Sequence, residues 1–199
     1  MNQILIKIFL AFIGFAVCPS FYISIAQGNR PVGTWKDHFP YEKVLEVTSG
    51  GEFVYARTDL AVFSLNPASH KVNKYSKVQG LSQSNPTAIS WYNGNLENDT
   101  EGYLIIGYAN GNLDLFQNGG TYNLPDIVTS NIIGDKGIRS ITVEGDFAFL
   151  ACGFGVVVID LERFEVQDTW YINGQQQLLE INSVVLHDNI WIVATASGV

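Results

Sequence analysis

A weak internal repeat constrains this chain more than any other feature. Four segments share one internal order: an alternating apolar run, a polar turn, a strongly hydrophobic strand ended by a small residue, and a second turn. They are VLEVTSGGEFVYARTDLAVFSL from Val44, ISWYNGNLENDTEGYLIIGYANGNLDLF from Ile89, IRSITVEGDFAFLACGFGVVVIDL from Ile138 and INSVVLHDNIWIVATASGV from Ile181. The small residues are Ala56, Gly107, Ala151 and Ala194, at intervals of 51, 44 and 43. Four positions after each comes a turn residue, Leu60, Gly111, Gly155 or Gly198. Repeats of roughly 40–50 residues, each a small antiparallel sheet, are the signature of propeller blades. A β-sandwich also has many short strands, but it gives no reason for a steady interval with a fixed internal order.

The residue types fit that architecture. A blade's second strand is covered on both faces by neighbouring blades, so FVYA, YLIIG, FAFLA and IWIVA read as nearly continuous apolar runs instead of alternating. The small residue at its end leaves room where sheets approach. Asn110-Gly111 and Phe154-Gly155 supply tight turns between antiparallel strands. The outermost strand meets water and tolerates Lys71, Asn73 and Lys74 in the first unit and Gln167 and Asp168 in the third, with Gly119–Leu124 as a weaker equivalent.

The expected organisation follows. Residues 1–26 read as a secretory signal: Lys7, an apolar run from Ile8 to Val17, and Ser24 and Ala26 at the cleavage positions. Pro19 and Ser20 interrupt that run short of the roughly 20 residues that cross a bilayer. Residues 27–40 form a lead-in, and 41–199 an all-β, partial propeller of four-stranded antiparallel blades at about 41–87, 88–137, 138–180 and 181–199. The fourth unit stops where Gly198-Val199 aligns with Gly155-Val156, so three complete blades and half a fourth are expected, as the beginning of a longer protein with a ring of about seven blades.

Composition excludes several function classes. A formal charge of −8 disfavours nonspecific nucleic-acid binding and adsorption to anionic membranes. Cys152 is the one cysteine outside the signal, which leaves no intrachain disulfide or cysteine zinc site. No phosphate loop, His-Glu-x-x-His, Cys-x-x-Cys or serine elbow is present. His38, His70 and His187 share no position in the repeat, so no metal site is expected from them. The long turn Asn93–Gly102 carries Glu97, Asp99 and Glu101 but lacks the ligand spacing of a calcium loop. Asp114 and Asp160 read as acceptors in strand-end turns, and Trp191 as core. The expected site inventory is therefore empty: no catalytic, cofactor-binding or metal residues. The connections Ser76–Thr87 and Asn173–Asn182, together with the turns between second and third strands, gather on one face of the disc, the default partner face. A polar central site lined by first strands is the other option.

The segment Gly33-Thr34-Trp35-Lys36-Asp37-His38-Phe39-Pro40-Tyr41, with the repeats ending Ala151–Val156 and Ala194–Val199, resembles the N-terminal propeller of the PorZ family. These are surface components of the type IX secretion system of the Bacteroidota, with repeats like those of two-component-regulator propellers. The resemblance implies a noncatalytic scaffold or ligand-binding propeller, exported to the cell surface or outer membrane. It implies partners in an outer-membrane secretion and attachment complex and a role in handling anionic lipopolysaccharide. A periplasmic sensor propeller of a two-component receptor and a propeller lyase or hydrolase are the alternatives.

Overall fold

The computed structural model describes residues 38–95, 101–172 and 178–198. The signal, most of the lead-in, and Glu97 and Asp99 of the long turn lie outside the described residues. Three four-stranded antiparallel meanders follow one another. The first holds β1 (Glu46–Gly50), β2 (Phe53–Arg57), β3 (Val62–Leu65) and β4 (Val72–Tyr75). The second holds β5 (Pro86–Tyr92), β6 (Tyr103–Tyr108), β7 (Leu113–Gln117) and β8 (Gly120–Leu124). The third holds β9 (Ile138–Glu144), β10 (Phe147–Cys152), β11 (Gly155–Asp160) and β12 (Glu165–Trp170). A fourth sheet pairs β13 (Ile181–His187) with β14 (Ile190–Thr195), and a bridge between Thr195 and Gly198 turns the chain back along β14. First strands neighbour first strands, β1 beside β5, β5 beside β9 and β9 beside β13. This is an incomplete β-propeller.

The apolar runs are explained by what the second strands touch. Side chains alternate across a strand, and in β6 both sets find a core. Leu104, Ile106 and Tyr108 enter the cluster shared with the first sheet, while Tyr103 and Ile105 enter the cluster shared with the third. In β10, Ala148, Leu150 and Cys152 face the second sheet, and Phe149 and Ala151 face the fourth. All six residues of β6 are buried, against two of five in β2. The end sheets each pack on one described neighbour, and Val47 and Ile190 on them are more than half exposed. Each fully buried Leu or Ile contributes about 1.5–3 kcal/mol, so the interface between the second and third sheets, which holds the largest cluster, carries most of the apolar burial.

The small residue does not end its strand. Ala56, Gly107, Ala151 and Ala194 are each penultimate, and the ladder runs one pair further, to Arg57, Tyr108, Cys152 and Thr195. The turn position is also not uniform. Gly111, Gly155 and Gly198 have positive φ. Leu60 instead donates its N–H to Thr58 Oγ1 (3.3 Å), and Ala61 N–H does the same (3.2 Å), so a buried hydroxyl organises that turn. Trp191 packs on Phe149 (ring centroids 4.0 Å) and Trp170 (5.5 Å) but is only half-buried, at the margin of the core and not within it. Trp91 stacks on Tyr55 at 5.4 Å, and Gly50 is what admits it, since a Cβ there would fall inside the indole ring.

Candidate interaction face

In a meander, turns between second and third strands and connections from a fourth strand to the next first strand emerge at the same end. Among the described residues that end carries 58–61, 76–85, 109–112, 125–137, 153–154, 171–172 and 178–180.

The connection from the first to the second sheet is built on a 3-10 turn, Lys77–Gln79. Ser76 Oγ accepts the Val78 N–H (3.2 Å) and bonds Gln79 Oε1 (2.6 Å), and Gly80 at φ 107° ends the turn. Leu81 then inserts into the core between the sheets. The next residue is fixed electrostatically: Ser82 N–H donates to Asp114 Oδ2 (2.8 Å). Asp114 is fully buried in β7 and also accepts from Tyr108 OH (2.7 Å) and Asn123 Nδ2 (2.9 Å). Burial, and then the Asp114 charge and its hydrogen bond, push the Tyr108 phenol far above its ordinary pKa. Asp114 is therefore no strand-end turn acceptor. It sits second in β7 and clamps a connection from 32 positions upstream. Asp160 does cap a turn, accepting from Glu162 N–H (3.0 Å) and Arg163 N–H (2.9 Å) at the end of β11.

The second connection holds α1 (Asp126–Thr129), whose Ile127 is buried. Lys136 Nζ donates to Val128 O (3.0 Å) and Ser130 O (2.6 Å), placing a cation against the carbonyls at the helix end. Asp135 accepts Gly137 N–H (2.9 Å) and pairs with Arg139 (2.8 Å), and Arg139 also pairs with Glu180 of the following connection. The turn at Gly153 approaches this segment so closely that a Cβ would lie 2.4 Å from Asp135 O. Successive first strands are also cross-linked. Glu46 Oε2 accepts from Arg57 Nε (2.7 Å) and Ile89 N–H (3.1 Å), Thr87 Oγ1 donates to Ile138 O, and Thr142 Oγ1 donates to Val184 O.

These connections are braced by the hydrogen bonds and ion pairs just described, while Val78, Ile133, Ile172 and Leu178 on them are exposed. The cations Arg57, Lys136 and Arg139 are held by carboxylates and carbonyls. Among the described residues no three His, Cys, Asp or Glu side chains gather as a metal set. His38, His70 and His187 are exposed and lie in separate parts of the fold. Cys152 is fully buried, and burial pushes its thiol up to about 12. No helix among the described residues is long and apolar enough to cross a membrane.

Residues 54–199 match the family described as TSS9, PorZ, N-terminal beta-propeller domain. The chain belongs to the PorZ N-terminal propeller family. In structure it is similar to PorZ of Porphyromonas gingivalis, an essential bacterial surface component of the type IX secretion system: 24% identity, TM-score 0.61, 75% of this chain. It spans only 19% of that PorZ chain. The extracellular domain of a Bacteroides thetaiotaomicron protein described as a hybrid two component system, BT4673, has the same TM-score of 0.61 at 15% identity, over 76% of this chain and 20% of its own. The designed protein Ika4 shares the fold at 12% identity and TM-score 0.55, with 87% of this chain covering 96% of Ika4. No curated protein sequence matches the chain. The PorZ-type assignment agrees with the resemblance carried by the repeats.

Proposed function

We propose that this PorZ-type propeller is a noncatalytic scaffold of the type IX secretion and cell-surface attachment machinery, exported and held at the outer membrane. The single observation that carries the reading is the family match over residues 54–199. The face built by the 76–85 and 125–137 connections, with 171–172 and 178–180 beside them, is the docking surface in this reading, because its backbone is pinned by Asp114, Lys136 and Arg139 before any partner arrives. Pre-ordered loops bind without an ordering cost. Of the cations on that face, Arg57, Lys136 and Arg139 are engaged by this chain's own carboxylates and carbonyls while Lys77 is exposed, and so sparse a free positive charge favours a protein partner there over anionic lipopolysaccharide. Affinity purification of the full-length protein from its own outer membranes tests the reading. Secretion-system components are expected to co-elute, and a soluble, unassociated protein would overturn it.

The second reading is a sensor propeller of a two-component receptor, favoured by the likeness to the BT4673 extracellular domain. Reading the gene through its stop codon separates the two. A transmembrane segment followed by a histidine-kinase module supports the sensor, and a secretion sorting domain supports the scaffold.

A further inference from the structure

We draw no further inference here: the strongest candidate, the apolar cleft along the free edge of β14 lined by Trp170, Ile172, Leu179, Trp191 and Ile192, carries nothing because no feature of the structure shows what covers it.

Discussion

Gly107 on β6 lies against Ile138 on β9, so that a Cβ at Gly107 would sit 2.6 Å from Ile138 Cγ2. The second and third sheets meet at the distance this missing methyl allows. Gly107→Ala is expected to destabilise the fold by about 1–3 kcal/mol through overpacking, read as a lowered urea midpoint. The same substitution in an Ile138→Ala background should cost measurably less, because the clashing methyl is gone. Equal costs in the two backgrounds would show that the contact is not what limits the approach.

Asp114 predicts a larger loss. Asp114→Ala leaves Tyr108 OH and Ser82 N–H without this acceptor and takes away one of the two acceptors of Asn123 Nδ2, which keeps Leu113 O. A buried donor left unpaired costs about 1–3 kcal/mol, so a loss of about 3 kcal/mol or more is expected in chemical denaturation. Hydrogen exchange at Ser82 N–H should also accelerate, because the clamp on the 76–85 connection is lost. A protected Ser82 amide in the variant would rule out the clamp.

The cross-links between first strands give a graded test. Thr87→Val and Thr142→Val keep the shape and remove one hydroxyl donor each, to Ile138 O and Val184 O. Each should cost about 0.5–1.5 kcal/mol. The two sites serve different sheet interfaces, so the double variant should be additive within about 0.5 kcal/mol. Strong coupling would mean that the interfaces respond as one unit.

Alkaline pH should weaken the protein. The Cys152 thiol is raised from 9.0 to about 12 by burial, and the Tyr92, Tyr103 and Tyr108 phenols are also raised above 10.0, chiefly by burial. The folded state holds these protons more tightly than the unfolded state does. Their contribution is therefore fully present below the unfolded pKa of 9.0 for the thiol, and is lost as pH climbs toward about 12. Urea midpoints measured from pH 7 to pH 11 should fall above about pH 9, and Cys152→Ala should flatten the earliest part of the fall. The native thiol should react with a disulfide reagent at pH 8 only on the timescale of unfolding. Rapid labelling of the folded protein would contradict its burial.

The legible and illegible parts of this protein divide along a physical line. The four hydrophobic strands, their small penultimate residues and the turn glycines could be read from the sequence because each depends on neighbours within a few positions, and the repeat displayed the same local solution several times. Continuous burial in β6, and in β10 from Ala148 to Cys152, is legible too, since two-sided covering removes the alternation that water would impose. The strand ends are not legible from the small residues, because the backbone ladder continues one pair past them irrespective of side-chain size. Five residues of the long turn, 96–100, lie outside the described residues, while Glu101 accepts from Gln117 Nε2 (3.4 Å) and Asn118 Nδ2 (3.3 Å) of the adjacent hairpin.

Asp114 marks where local reading stops. From the sequence it is one acidic residue near a strand end, indistinguishable in kind from Asp160. Only the packing of sheet on sheet brings the Ser82 amide and the Tyr108 hydroxyl to its carboxylate and turns one aspartate into a buried clamp while the other remains a turn cap. The same holds for Arg139, whose two carboxylate partners come from connections 45 positions apart. Sequence by itself determined the strands and their order, because backbone pairing and side-chain alternation are short-range. The tertiary structure decided which polar groups meet across the blades, because those contacts depend on the spacing and angle at which whole sheets pack.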